Sequence, residues 1–268
     1  MSAAGPSGDH ASAVLLACRG LTMTFGGLTA LDALALSVMR GEILGLIGPN
    51  GSGKTTFFNV VTGLYKAAAG SIEFEARDIT RLPPQAICRA GIARTFQRSR
   101  LCLPLTVFDN IMIGNHLRLQ HGVWFNVIRR RALRRQFEQC VEQARALATT
   151  FSRRLGERLF EAAGALNMID RRRVEICRAL VNGPRLLLLD EPSAGMTHGE
   201  TRELMDDILQ VRGRSAELTI VIIEHEMNVI ERITERCVVL NYGEKIAEGA
   251  FRAVAADVRV QEAYLGQA

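Results

Sequence analysis

The chain has 268 residues, 48% of them hydrophobic, enough to bury a full core in one large domain or a domain with a sub-lobe. Its formal charge of +5 rests almost wholly on arginine, because Lys54, Lys66 and Lys245 are the only lysines. No apolar run approaches the ~20 residues of a membrane span, and six cysteines without metal-ligand spacing or a CxxC pair read as reduced thiols, not as a disulfide or zinc framework.

The opening MSAAGPSGDHASA lacks a charged n-region and an apolar core, so 1–12 is expected to be a loose tail and not a signal peptide, in a soluble protein on the cytosolic side. AVLLACRGLTMTF and LDALALSVMRGE alternate apolar and polar residues, the pattern of an antiparallel β region. EILGLIG then runs continuously apolar into a glycine-rich turn and the helical stretch TTFFNVVTGLY. SIEFEA reads as a short strand, and PPQAICRAG as a short helix leading to GIARTFQ. From about 105 to 165, Arg/Gln/Glu/Ala-rich segments with few turn residues predict helices and a candidate sub-lobe. Strand signals return at RLLLLD, TIVIIEH and CVVLNYG. Together these indicate an α/β fold on a mostly parallel sheet covered on both faces.

GPNGSGKTT (48–56) satisfies G-x-x-x-x-G-K-[ST] directly after the apolar strand, the context that motif requires. Gly48, Gly51 and Gly53 let the backbone wrap an anion, while N–H groups and the helix start supply partial positive charge. Lys54 is expected to reach the terminal phosphates and the Thr55 hydroxyl to ligate Mg²⁺. RLLLLD delivers Asp190 to the carboxyl end of its strand, where a carboxylate suits Mg²⁺, and Glu191 beside it is placed to orient or deprotonate water. An acidic pair after a strand also serves as a helix N-cap, so the phosphate loop is what tips the reading. TIVIIEH is expected to end on His225 in register with Asp190, as a donor to a γ-phosphate oxygen.

Those residues, in that order, resemble the ATP-binding subunit of ABC transporters, from about Ala13 to Gly266. GPNGSGKTT is similar to the family's Walker A, Gln97 in GIARTFQ to its Q-loop, LLLLDE to its Walker B, SAGMT (193–197) to its D-loop and IIEH to its switch histidine. The resemblance implies a P-loop NTPase over 13–266, with an N-terminal antiparallel β subdomain and a helical signature subdomain at about 98–180. It implies ATP binding by Phe25, Gly48, Pro49, Asn50, Gly51, Ser52, Gly53, Lys54, Thr55 and Thr56. It implies Mg²⁺ at Thr55, Gln97 and Asp190, and catalysis by Glu191, His225, Gln97 and Lys54. Phe25 sits where the family stacks an aromatic ring on adenine; an ordinary core aromatic is the alternative.

TFQRSRLCLPLTVFDNIMIG and the C-terminal CVVLNYGEKIAEG…VQEAYLG are similar to the subgroup serving branched-chain and other hydrophobic amino acid importers. Urea, amide and lipopolysaccharide transport ATPases read much alike. The implied partners are a second ATPase subunit, two permeases and, indirectly, a periplasmic solute-binding protein, at the cytoplasmic face of the inner membrane; no nucleic acid is expected. LNMIDRRRVEICRAL (166–180) lies where the subgroup carries its signature, but Asn167, Met168, Ile169 and Arg171 replace the Ser/Pro, aromatic, glycine and glutamine positions. Ile169 is expected to hinder close backbone approach, and any φ > 0 there to be strained. Losing one such donor costs roughly 10²–10³ in rate, so a subunit that binds ATP yet hydrolyses poorly is the second reading. The arginine clusters at 129–135 and 171–173 suit phosphate, an anionic membrane or acidic partner residues, with solvated helix faces as the plainer reading. A DNA- or ribosome-directed ABC ATPase is disfavoured, since such chains carry two domains or long coiled-coil inserts.

Overall fold

The computed structural model describes residues 14–97, 100–115, 130–215 and 217–265; the tail expected at 1–12 lies outside them. The chain opens with β1 (Val14–Phe25) and β2 (Leu28–Met39), an antiparallel hairpin whose Phe25–Leu28 pair closes on Gly26 and Gly27. β3 (Ile43–Ile47), buried at every residue, feeds α1 (Lys54–Val61). β4 (Ala69–Phe74), β5 (Arg77–Asp78), α2 (Pro84–Ala90) and β6 (Ile92–Arg94) follow. Next come α3 (Val107–Gly114), α4 (Arg130–Phe151), α5 (Arg153–Glu157) and α6 (Met168–Leu180). The chain then runs through β7 (Leu186–Asp190), α7 (His198–Arg214), β8 (Thr219–Ile223), α8 (Met227–Ile233), β9 (Arg236–Asn241), β10 (Glu244–Gly249), α9 (Phe251–Ala255) and α10 (Val258–Leu265).

Among the described residues the strands form two sheets, β2-β1-β4-β5 and β10-β9-β3-β8-β7-β6. The larger one is parallel except at the β10 edge, which pairs antiparallel with β9. Successive side chains on a strand point to opposite faces, so each fully buried strand feeds two cores. Ile43, Ile47, Leu187, Leu189, Ile220 and Ile222 face a core shared with helices α3, α4, α6, α7 and α8. Leu44, Leu46, Leu186, Leu188, Val221 and Ile223 face a second core, filled by Phe57 and Phe58 of α1 and closed by the antiparallel sheet. The cover on that face is therefore partly a second sheet, where the sequence suggested helices.

The helix expected over TTFFNVVTGLY ends at Val61, and Thr62 and Gly63 turn the chain out. α3 starts on a reciprocal cap: Thr106 Oγ1 accepts from the Asp109 amide at 3.0 Å, and the Thr106 amide donates to Asp109 Oδ2 at 3.2 Å. α4 buries Cys140, Ala144, Ala148 and Phe151, a stripe at helical spacing that seats its C-terminal half.

Candidate nucleotide and phosphoryl-transfer site

The loop 48–53 joins β3 to α1, and its shape depends on two glycines held at positive φ by close neighbours. Gly48 has φ 145°, and a Cβ there would collide with the Leu240 carbonyl oxygen; Gly53 has φ 102°, and its Cβ would stand 2.6 Å from the Ala30 carbonyl. Pro49 and Ser52 are buried under the loop, while Asn50, Gly51 and Thr55 are exposed and Gly53 and Thr56 are half-buried. Lys54 curls over its own loop, donating to the Gly48 and Pro49 carbonyls at 2.8 Å each and to Ser52 Oγ at 3.3 Å. Burial lowers the Lys54 pKa, and the nearby charges of Glu191 and Asp190 oppose that shift. Phe25 at the hairpin tip is 42% exposed and meets Tyr65 edge-on at 5.2 Å, so it is not a core aromatic. Tyr65 had no distinguishing signal in the sequence.

Asp190 ends β7 and is buried. Its Oδ2 accepts from Arg94 Nη2 at 2.6 Å, and Arg94 Nη1 donates to Asn59 Oδ1 at 2.6 Å. Burial pushes the Asp190 carboxyl up, against the pull of Arg94. Its other oxygen, Oδ1, is buried with no hydrogen-bond partner. An orphaned carboxylate oxygen close enough to Lys54 to influence its charge, with hydroxyl and amide oxygens at Thr55 and Gln97, is a hard-donor set that suits Mg²⁺. Among the described residues, no group of three or more His, Cys, Asp or Glu could hold a metal alone. A Mg²⁺ here would be held by these oxygens together with nucleotide phosphates and water. Arg94 lies in the GIARTFQ stretch, and nothing local in the sequence reveals its partner 96 positions away.

Glu191 follows with φ 47°, a left-handed conformation uncommon for a non-glycine residue and typical of functional turns. Its amide donates to the Ile223 carbonyl at 2.9 Å, which pins the turn to β8. Gln97 Nε2 donates to Glu191 Oε2 at 2.7 Å, and His225 Nε2 lies 2.8 Å from Oε1. Three segments thus converge on one carboxylate. His225 is not the strand end in register with Asp190: that partner is Ile223, and His225 lies two residues beyond β8. Glu224, between them, is buried, and its Oε1 accepts from the Ser193 amide at 2.8 Å, tying the 193–197 turn to the exit of β8.

The 166–180 segment departs from expectation. Asn167 caps α6, its side chain accepting from the Asp170 amide at 3.0 Å, and Met168 stands 51% exposed. Ile169 is helical and only 4% exposed, with its side chain in the core, so the positive-φ strain foreseen for it does not arise. The arginines at 171–173 are not a solvated face. Arg171 donates to the Gly164 carbonyl at 2.7 Å, and Arg172 and Arg173 are buried. Arg173 pairs with Asp170 at 3.0 Å, Asp207 at 2.7 Å and Glu203 at 2.6 Å. Burial works against its charge, but those carboxylates outweigh burial and raise its pKa.

Arg172 pairs with Glu175 Oε2 at 2.7 Å and donates to the Phe96 carbonyl at 3.3 Å. Glu175 Oε1 accepts from the Arg100 amide at 2.9 Å, and Arg178 donates to the Arg100 carbonyl at 2.8 Å. One face of α6 therefore grips the backbone on both sides of Gln97.

A glycine-rich loop between a buried strand and a helix, with a neighbouring strand that delivers an acidic pair and a glutamine and histidine closing on the second acid, defines a P-loop ATPase. A family model described as "ABC transporter" matches residues 31–194, and one described as "Branched-chain amino acid ATP-binding cassette transporter" matches residues 244–268. The chain is 40% identical to the high-affinity branched-chain amino acid transport ATP-binding protein LivG of Salmonella typhimurium, covering 95% of this chain and 98% of that one. It is 36% identical to BraF of Pseudomonas aeruginosa, a protein of the same description, with 95% and 98% covered. A solved nucleotide-free ATP-binding cassette from an ABC transporter superposes with a TM-score of 0.80 at 30% identity, covering 94% and 98%. A cassette solved in its ADP conformation gives 0.80 at 31%, covering 94% and 99%. The chain belongs to the ATP-binding family of ABC transporters, whose general activity is ATP hydrolysis coupled to transport.

Proposed function

We propose that this chain is the ATP-binding, energy-coupling subunit of an importer for branched-chain or other hydrophobic amino acids, acting at the cytoplasmic face of the inner membrane beside two permeases and a second ATPase subunit. The observation that carries the reading is the Glu191 carboxylate held between Gln97 and His225, with Lys54 near enough to feel its charge. Each Glu191 oxygen carries one of these contacts and keeps a further lone pair, so the carboxylate can accept a water proton while both partners hold it in place. Lys54 holds its own loop until phosphate oxygens offer its ammonium stronger, charge-assisted partners. Phe25 presents an exposed ring to a base, and the loop 48–56 presents N–H groups to phosphates. Thr55, Asp190 and Gln97 would hold Mg²⁺, which when bound neutralises phosphate charge.

The permease docks, in this reading, at the groove between α2 and α6, whose lining includes Phe96, Arg100 and Ile113. Leu103 and Leu105, 42% and 40% exposed, place apolar side chains on the 101–108 segment that follows Gln97 and Arg100. The helical lobe at about 98–180 then joins that surface to Gln97, so the state of the Glu191 site biases the permease. Two measurements test this. Glu191→Gln should retain ATP binding and lose roughly 10²–10⁴ in turnover, and single cysteines at Leu103 or Leu105 should crosslink to a cytoplasmic permease loop. Undiminished turnover, or crosslinks confined to 240–266, would overturn the respective assignment.

A further inference from the structure

α4 buries side chains late: no residue from Arg130 to Gln139 is buried, and the first that is buried is Cys140. A bare helical stretch of that length is marginal in water, because most helical stability comes from packing an amphipathic face. These turns do carry such a face. Leu133 and Phe137, four residues apart and therefore on one side, are 37% and 52% exposed. Phe137 leans edge-on against Phe108 at 5.5 Å, and Phe108 in turn touches Phe160, itself 56% exposed, at 5.7 Å. Of the exposed arginines here, Arg130 and Arg134 fall within about 100° of Leu133 around the helix, beside this apolar patch, while Arg131 and Arg135 fall on its far side. Glu138, paired with Arg134 at 3.0 Å, is the first acid since Asp109 in the sequence.

We propose that this exposed start of α4 lies against an anionic lipid surface, Leu133 and Phe137 entering the headgroup boundary and Arg130 and Arg134 meeting lipid phosphates. A helix with aromatic and leucine side chains on one side and guanidinium groups beside them is the design of an interfacial helix. Arginine stems also cover apolar surface while their heads reach charge. An acidic protein segment would satisfy the guanidinium groups, but it leaves the exposed parts of Leu133 and Phe137 facing water. The placement rests on the docking reading above. α3 ends at Ile113 and Gly114, which line the groove assigned to the permease, and α4 packs against α3 through Phe108. The patch therefore belongs to the lobe that faces the membrane.

The test is co-sedimentation of the purified full chain with vesicles of phosphatidylcholine alone, or of phosphatidylcholine doped with phosphatidylglycerol. Binding should need the anionic lipid and weaken as salt rises. Arg130→Gln and Arg134→Gln should each lower the partition about fivefold, the equivalent of ~1 kcal/mol, their double variant about 25-fold, and the Arg131/Arg135→Gln variant much less. Phe137→Ser should remove the part of binding that survives high salt. All variants should bind ATP as the parent does, since none touches the phosphate loop. Equal binding of the Arg130/Arg134→Gln variant and the parent to anionic vesicles would overturn the proposal. So would arginine-dependent capture by phosphatidylcholine vesicles containing the permeases, with none by anionic vesicles lacking them, which would assign the arginines to acidic protein. Permease-free vesicle binding with no permease crosslink would sink the docking reading and leave this one standing.

Discussion

Lys54 directs its three donors at two carbonyls and a hydroxyl of the loop that carries it, so the loop is braced by the same ammonium we assign to the nucleotide phosphates. Replacing it has two separable consequences. Lys54→Ala should weaken ATP binding by about 10- to 150-fold, the equivalent of the roughly 1.5–3 kcal/mol of a hydrogen bond to a charged group. It also leaves the Gly48 and Pro49 carbonyls without their donor, which should cost about 1–3 kcal/mol in the nucleotide-free protein. Isothermal titration and urea melts on the same variant distinguish the two. Unchanged affinity with lowered stability would make Lys54 a brace only. Asp190 illustrates the opposite balance: a buried carboxylate with one oxygen on Arg94 and the other orphaned carries an unmet demand for a positive partner.

At the scale of elements, α6 connects two regions of the chain that the sequence gives no reason to join. Its Arg172, Glu175 and Arg178 lie on one face and hold the Phe96 carbonyl and both backbone groups of Arg100. Any rotation of α6 therefore pulls on Gln97 and on the Glu191 carboxylate it contacts. Glu175→Ala removes the acceptor for the Arg100 amide and strands Arg172 as a buried unpaired charge, a loss of roughly 3–5 kcal/mol in stability. If Glu175 positions Gln97, kcat of the folded variant should fall at least about tenfold with little change in KM for ATP. Glu175→Gln, which keeps an acceptor for the amide, should recover part of it. A purely structural role would lower stability and leave the kcat of the folded fraction intact. Such contacts explain what was legible in advance and what was not. The phosphate loop, Asp190, Glu191, Gln97 and His225 stand in short motifs whose order follows the strand ends, so they could be read locally. Arg94 and Glu175 owe their roles to partners 96 and 75 positions away. The run at 171–173 looked solvated because charge normally marks a surface, and only the carboxylates of α7 and of α6 itself allow its burial.

For the whole molecule, what matters is what α6 offers beyond its own chain. In an arrangement where each nucleotide lies between one subunit's phosphate loop and the other's 166–173 segment, a homodimer repeats the altered segment at both sites, whereas a heterodimer confines it to one. Ile169 faces the core, so a partner's nucleotide meets Asn167, Met168 and the helix start instead. The Asn167 side-chain oxygen is already committed to the Asp170 amide, which leaves its NH₂ and the first amides of α6 as donors. A side-chain amide reaches further from the backbone than a serine hydroxyl and cannot reproduce its geometry at the helix start, so the purified chain should hydrolyse ATP slowly by itself. It should turn over faster with a second ATPase subunit that carries an unaltered segment, because its own Gln97, Glu191 and His225 are assembled. Asn167→Ser should raise the rate of the chain alone, since serine keeps the cap and frees a hydroxyl. Ile169→Gly should not help: it opens a cavity in the core and loosens a helix, for a combined cost of about 3–5 kcal/mol. Steady-state ATPase of the chain, both variants and the mixed subunits, with urea melts alongside, decides the matter. Fast turnover by the unmodified chain with no gain from Asn167→Ser would show that the altered segment serves a homodimer unaided.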